Sequence, residues 1–141
     1  SAWFEGISEL LHDLKAQGLK LAVATGKNRR GLDRVIAKTQ STHLFDVTRA
    51  ANETRSKPDP LMLQEILTVT GVNVEQAVMI GDSSYDLEMA QRLGMPRIGV
   101  GYGVHSVEVL QKFQPLTIAK DVQELHSFLR GYTQLPTVDV A

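Results

Sequence analysis

The sequence has no cysteine, which excludes disulfides, thiolate nucleophiles and zinc–thiolate sites. It also lacks an excess of charge: 15 Lys and Arg stand against 16 Asp and Glu, a net charge of −1. This balance gives no electrostatic reason to bind nucleic acid or an anionic membrane, so a charged ligand must be held by a local site. No apolar run approaches the roughly 20 residues of a membrane-spanning helix, and the N-terminus has no signal-peptide pattern. A cytoplasmic location is the default expectation.

The length and apolar content are those of one compact domain. A chain of 141 residues with 43% hydrophobic residues can bury a substantial core. We assign residues 1–130 to a core domain. Residues 131–141, which include Pro136, look like a loosely attached tail.

Apolar residues at helical spacing alternate along the chain with short apolar runs typical of buried strands. Gly18, Gly71 and Gly94 stand where helices should stop, and Asn28 and Asp59 are good helix N-caps. Strands are predicted near residues 19–24, 45–48, 77–80, 97–100 and 116–119, with helices before, between and after them. This alternation predicts an α/β fold, a doubly wound parallel sheet with helices on both faces.

Polar side chains cluster in the loops at the predicted carboxyl edge of this sheet, where open parallel sheets bind ligands. Thr25, Gly26 and Lys27 follow the first strand, Lys57 precedes a Pro-Asp-Pro helix start, and Asp82 follows the third strand. A hydroxyl, a lysine and a carboxylate that converge on one rim meet the needs of phosphoryl transfer.

Each of these residue types has a physical reason to be there. Thr25 and the backbone amides of Gly26 and Lys27 precede a helix N-terminus, which favours an anion. Pro58 biases Lys57 toward an extended conformation, so its ammonium can reach across the rim. Asp82 ends an apolar strand, where a carboxylate needs a cation or hydrogen-bond partners.

The three motifs, in this order, resemble the second, third and fourth motifs of the haloacid dehalogenase superfamily, in its phosphoglycolate-phosphatase-like branch. The resemblance covers roughly residues 3–129. It implies a Mg²⁺-dependent phosphomonoesterase that acts on a small phosphorylated metabolite through an aspartyl-phosphate. By resemblance, Thr25 binds the phosphoryl group, Lys57 pairs with phosphate and nucleophile, and Asp82 ligates Mg²⁺. Asp86 would support the lysine or the water shell of the metal, with Ser83 beside it.

The sequence departs from the family pattern at its start. The first motif, which supplies the nucleophilic aspartate, has no match before Thr25, and the helical cap domain is missing as well. The chain alone is therefore expected to be inactive. In the family the lost strand lies between the strands that here end at Thr25 and Gly81. We call this position the central slot, and we expect the Thr137–Val140 tail, a partner molecule or a second copy to fill it.

Plainer interpretations and other functions stay open. Ser83 and Asp86 fit a helix cap, Lys57 alone would be a surface lysine, and Arg29 and Arg30 suit a solvated helical turn. Gly81 stands where sugar-phosphate mutases of the family tend to have glutamate, which favours a phosphatase. The alternative function is a binding or interaction module that lacks the nucleophile. A signalling receiver domain is disfavoured, because its acidic residues precede its hydroxyl and its lysine comes last.

Overall fold

A computed structural model describes residues 6–55, 57–101 and 106–132, and the backbone of residues 137–140. Its helices are α1 (Ile7–Ala16), α2 (Arg29–Thr39), α3 (Leu61–Thr70), α4 (Ser84–Leu93), α5 (Val107–Gln111) and α6 (Val122–Gly131). Its strands are β1 (Lys20–Ala24), β2 (Val47–Arg49), β3 (Ala77–Gly81), β4 (Arg97–Val100), β5 (Ile118–Ala119) and β6 (Thr137–Val140). The predicted α/β alternation is confirmed. No helix within these ranges is both long enough and apolar enough to cross a membrane.

The strands form a single parallel sheet in the order β2-β1-β6-β3-β4-β5. The last strand in sequence, β6, thus lies at the centre and pairs with β1 on one side and β3 on the other. The sequence interpretation placed this segment in a loosely attached tail. Instead, Thr137–Val140 fills the central slot, one of the occupants predicted for it. The boundary drawn at residue 131 therefore does not mark where the sheet ends.

The two faces of the sheet are covered by different helices. Alternate residues of β3 point to opposite faces, as the pleat requires. Val78 and Ile80 belong to the cluster that includes the buried residues of α1 and α6. Ala77 and Met79 join a second cluster with α3 and α4. A smaller cluster packs α2 against Val23. Because both faces are buried, β1 and β3 are nearly continuous apolar runs.

Local capping explains where the helices begin and end. Asn28 accepts a hydrogen bond from the Gly31 amide at 2.8 Å and caps α2, as predicted. Helix α3 begins at Leu61, one residue later than the Asp-Pro pattern indicated, yet Asp59 still accepts the Leu61 amide at 3.0 Å. Gly71 closes α3 with a φ of 71°, a left-handed conformation that glycine adopts without strain.

The β2 edge of the sheet is protected by arginine. Strand β2 pairs only with β1 in the described sheet, and the Thr48 carbonyl accepts hydrogen bonds from Arg29 Nη2 at 3.2 Å and Arg49 Nη1 at 3.0 Å. Arg29 also pairs with Glu53 and Asp33. The interpretation of Arg29 as merely solvated was therefore incomplete, because this side chain joins α2 to the β2 edge. Charged groups on an edge strand oppose unwanted strand pairing.

Candidate functional site at the carboxyl edge of the sheet

The sheet register brings the loops after β1 and β3 to the two sides of β6. Val140 is paired with Val23 on β1 and with Ile80 on β3. Thr25 and Asp82 each follow their paired residue by two positions, so they flank the carboxyl end of the central strand. The loops after β1 and β3 therefore lie on either side of β6 at the carboxyl edge of the sheet, which is the edge where parallel sheets bind ligands.

The third loop reaches this edge through an ion pair. Lys57 Nζ donates a hydrogen bond to Asp86 Oδ1. The lysine side chain is only 12% exposed and the aspartate side chain 2% exposed, so Lys57 is not the solvated surface lysine of the plainer interpretation. The Lys57–Pro58 peptide bond is cis. This ion pair joins the loop before α3 to the start of α4. Removal of either partner would leave a buried unpaired charge, which strongly destabilises a protein.

Gly81 makes the close approach of Asp86 feasible. A Cβ atom at position 81 would lie 2.3 Å from the Asp86 Cβ and 2.7 Å from its Oδ2. Real side chains do not tolerate such separations, so only glycine lets the end of β3 pass this closely beneath α4. Gly81 therefore has a steric role in this chain, in addition to the mutase comparison that first drew attention to it.

Two hydrogen bonds hold the turn at Thr25. The Thr25 hydroxyl oxygen accepts the Lys27 amide at 3.1 Å, and the Thr25 amide donates to the Arg49 carbonyl at 3.1 Å. The Lys27 amide, which the sequence analysis predicted to bind an anion, therefore donates its hydrogen bond within the turn in this conformation. The Thr25 O–H remains a donor that can point at a ligand. Gly26 has open space around it, since no described residue other than its two chain neighbours comes within 4 Å of a Cβ placed there.

Ser83 serves α4 as its N-cap. Its hydroxyl accepts the Asp86 amide at 3.2 Å, which agrees with the capping interpretation of this residue. Asp86 lies in the first turn of α4, where a negative charge is favoured by the helix dipole.

The donor set at this edge limits how a metal ion could bind. Among the residues that the structure describes, no group of three or more His, Asp or Glu side chains could hold a metal. Asp86 is engaged by Lys57. Asp82, half-buried after β3, is the carboxylate that the sequence analysis assigned to the metal. Mg²⁺ is commonly bound by one or two carboxylates together with water and substrate phosphate. The residues fit that open mode and do not fit a cage built from protein ligands alone.

Comparison with known proteins decides the family. A family model for haloacid dehalogenase-like hydrolases matches residues 1–100, which is most of the chain. The chain belongs to this family. The resemblance predicted from the three motifs is therefore confirmed, and the haloacid dehalogenase-like fold accounts for the parallel sheet.

Relatives of this haloacid dehalogenase-like chain include phosphatases of small molecules. It is 32% identical over 133 residues to a phosphoglycolate phosphatase of Rhodospirillum rubrum, covering 93% of the chain and 54% of that protein. It is 28% identical over 123 residues to the pyrophosphatase PpaX of Halalkalibacterium halodurans, covering 86% and 57%. A predicted phosphatase from Clostridium acetobutylicum superposes with a TM-score of 0.83 at 28% identity, over 91% of the chain and 60% of that structure. The chain thus spans little more than half the length of these relatives.

Two features near the sheet carried no sequence signal. Arg97, at the start of β4, has buried Nε and Nη1 atoms without a hydrogen-bond partner in the described part of the chain, and burial lowers the pKa of its guanidinium. A groove of about 600 Å³ lies beside β2 and α2, lined by Arg29, Phe45 and Arg49 among others. None of the predicted site residues lines it. Neither the burial of the Arg97 side chain nor the groove follows from hydrophobic periodicity along the chain.

Proposed function

We propose that this chain is the core of a Mg²⁺-dependent phosphomonoesterase that forms an aspartyl-phosphate in the complete protein. The observation that carries the proposal is the buried Lys57–Asp86 pair, which fixes an ammonium at the carboxyl edge beside the loops of Thr25 and Asp82. Family membership and the phosphatase relatives support the reaction class. The substrate class would be a small phosphorylated metabolite of the cytoplasm, since the net charge of −1 favours no polymer or membrane partner.

The residues divide the work of binding a phosphoryl group. The Thr25 hydroxyl would donate a hydrogen bond to one phosphate oxygen, with space for the group beside Gly26 and the Lys27 side chain at the rim. Lys57, oriented by Asp86, would neutralise the charge that accumulates on the transferring group. Asp82 would hold Mg²⁺, which when bound supplies Lewis-acid stabilisation of phosphoryl oxygens. Ser83 would contribute to the stability of α4, which it caps, and is not assigned a contact with phosphate.

Phosphate binding and hydrolysis by the same chain test the proposal separately. Inorganic phosphate with Mg²⁺ should raise the melting temperature of the parent chain, because a ligand that binds only the folded state stabilises it. Thr25→Val should reduce this shift. Lys57→Met combined with Asp86→Asn should abolish it without leaving a buried unpaired carboxylate. The matched control is Lys112→Met, an exposed lysine at the end of α5, which should behave as the parent.

Hydrolysis of p-nitrophenyl phosphate gives the second readout. We expect no turnover from residues 1–141 alone, because no described segment supplies the nucleophile motif. Mg²⁺-dependent turnover would contradict this expectation and place a nucleophile within the chain. If phosphate still raises the melting temperature of the Lys57→Met, Asp86→Asn variant, then phosphate does not bind at the assigned site.

A binding module without turnover is the second candidate, and one observation favours it. In the described sheet, β6 occupies the central slot and pairs with both β1 and β3. In this case phosphate binding would persist, and no upstream or partner segment would restore hydrolysis. Recovery of turnover when the chain is joined to a family-type first strand would decide for the enzyme.

A further inference from the structure

A short turn after β2 lies against the turn that follows β1. We call residues 50–53 the β2 turn and residues 25–27 the Thr25 turn. The Glu53 amide donates to the Ala50 carbonyl at 3.1 Å, which closes the β2 turn. Ala50 is fully buried and packs with Val23 and with residues of α2. The β2 turn is therefore anchored in the core at its first residue.

Two hydrogen bonds join the β2 turn to the junction between the Thr25 turn and α2. The Ala51 amide donates to the Lys27 carbonyl at 2.9 Å. The Asn52 Oδ1 atom accepts the Arg29 amide, also at 2.9 Å. Because these bonds act on the backbone directly after Thr25, the β2 turn restrains the conformation of the loop that carries this hydroxyl.

Glu53 strengthens this connection through its side chain. Arg29 donates from Nε to Glu53 Oε2 at 3.0 Å and from Nη2 to Glu53 Oε1 at 2.7 Å. Two parallel bonds between a guanidinium and a carboxylate fix the orientation of both groups. Glu53 Oε1 also accepts the Ala50 amide at 2.9 Å. One carboxylate thus joins the buried end of the β2 turn to the first residue of α2.

The charge of Glu53 would by itself oppose phosphate binding at the neighbouring turn. Like charges repel, so a carboxylate in this region lowers the affinity for an anion unless it acts in another way. Both carboxylate oxygens of Glu53 accept hydrogen bonds from within the protein. The contacts of Glu53 therefore indicate that it holds the backbone in place and does not contact the ligand.

We propose that Asn52 and Glu53 are positioning residues for phosphate binding, because they hold the β2 turn against the Thr25 turn and so keep the Thr25 hydroxyl in place before a ligand binds. A site that is already ordered binds more tightly, since less conformational freedom is lost on binding. This inference rests on the proposed phosphate site at Thr25. It assigns no contact between phosphate and either positioning residue.

The direction of the effect at Glu53 tests the inference on the full chain. Phosphate affinity is obtained from the melting temperature as a function of inorganic phosphate concentration at fixed Mg²⁺. Glu53→Ala should weaken phosphate binding at least about tenfold, although it removes a negative charge and releases Arg29. Glu53→Gln, which keeps an acceptor oxygen, should bind phosphate more tightly than Glu53→Ala. Because both variants lack the carboxylate charge, the difference between them reports the hydrogen bonds.

Lys15→Met is the matched control for the loss of an ion pair. Lys15 and Asp46 lie 2.7 Å apart, as do Arg29 and Glu53, and the side chains of the two pairs are similarly exposed. Asp46 accepts the Leu21 amide in β1 and thus acts on the strand. Lys15→Met should lower the melting temperature without phosphate, but its phosphate affinity should equal that of the parent.

Hydrogen exchange provides a readout that needs no phosphate. The Arg29 amide should exchange at least about tenfold faster in Glu53→Ala than in the parent, and at the parent rate in Lys15→Met. Asn52→Ala should also weaken phosphate binding, and it replaces Glu53→Ala if that variant does not fold.

Two results would overturn the inference while the phosphate site remains. One is equal exchange of the Arg29 amide in the parent and in Glu53→Ala. The other is phosphate binding by Glu53→Ala that is as tight as in the parent or tighter, and tighter binding would make Arg29 a ligand contact. If the parent itself does not bind phosphate, the proposed function fails together with this inference.

Discussion

At the scale of single residues, the site depends on a contact that a glycine permits. Lys57 and Asp86 pair inside the protein, and Asp86 can approach the end of β3 only because Gly81 has no side chain. Lys57 comes from a loop 29 residues before Asp86 in the chain, and Asp86 contacts both Lys57 and the end of β3. A side chain at position 81 should therefore displace Asp86 and disturb its ion pair with Lys57.

Gly81→Ala tests this restriction. The added methyl would lie 2.3 Å from the Asp86 Cβ, so the strand and α4 must separate, and we expect a loss of about 1–3 kcal/mol in the free energy of unfolding. Urea denaturation measures it. The matched control is Gly131→Ala at the end of α6, where a Cβ would meet no described residue beyond its neighbours in the helix and helix propensity favours alanine. Equal stability of the parent and Gly81→Ala would contradict the steric role.

At the scale of the elements, helix α4 joins the site to the core. Its first turn carries Asp86, and its inner face buries Leu87, Met89 and Ala90. The Ser83 hydroxyl caps this helix, so Ser83 is expected to act on stability more than on ligand binding.

Replacement of the cap distinguishes these roles. Ser83→Ala should lower the free energy of unfolding by about 1 kcal/mol, while Ser83→Asp, which can accept the same amide, should retain it. Ser106→Ala at α5 is the comparison, and its loss should be smaller because that bond is 3.4 Å long and the helix is short. Thermal shifts with phosphate should be the same for the parent and Ser83→Ala. A lost phosphate shift in a stable Ser83→Ala protein would make Ser83 a ligand-binding residue.

At the scale of the whole molecule, acidic residues tie the β2 region to its neighbours. Hydrogen bonds from Arg29 and the Ala50 amide lower the pKa of Glu53. Partial burial raises the pKa of Asp46, but hydrogen bonds from Lys15 and the Leu21 amide outweigh it and lower the pKa overall. Groups with lowered pKa values stabilise the folded state fully above their unfolded values, and this contribution disappears as the pH falls through the folded values.

Stability should therefore decline in acid, beginning near the ordinary values of 4.5 for Glu53 and 3.8 for Asp46 and continuing below them. Glu53→Gln should lower stability at neutral pH and flatten the acid decline, because its carboxylate no longer titrates. Urea midpoints measured across this range check the prediction. The control is Glu75→Gln, an exposed acid before β3. An unchanged acid slope in Glu53→Gln would show that the Arg29 pair does not contribute.

Local patterns were sufficient to predict most elements of the fold. The apolar runs that became β1 and β3 and the Asn28 cap depend on neighbours in sequence, so the pattern reports them directly. The same holds for Thr25 and Asp82, because parallel strands bring their carboxyl ends to one edge. The start of α3 was wrong by one residue, since Pro60 acts as a cap residue there.

The sequence by itself determined the α/β class, the family and the three motif loops, because alternation of apolar runs and short-range capping are properties of contiguous residues. Only the tertiary structure decided which segment lies at the centre of the sheet, which carboxylate pairs with Lys57, and why position 81 is glycine. The first two depend on contacts between segments far apart in the chain, and the third depends on how α4 folds back over the end of β3. Hydrophobic periodicity specifies on which face of a strand or helix a residue lies, but strand pairing and register decide which residues that face contacts.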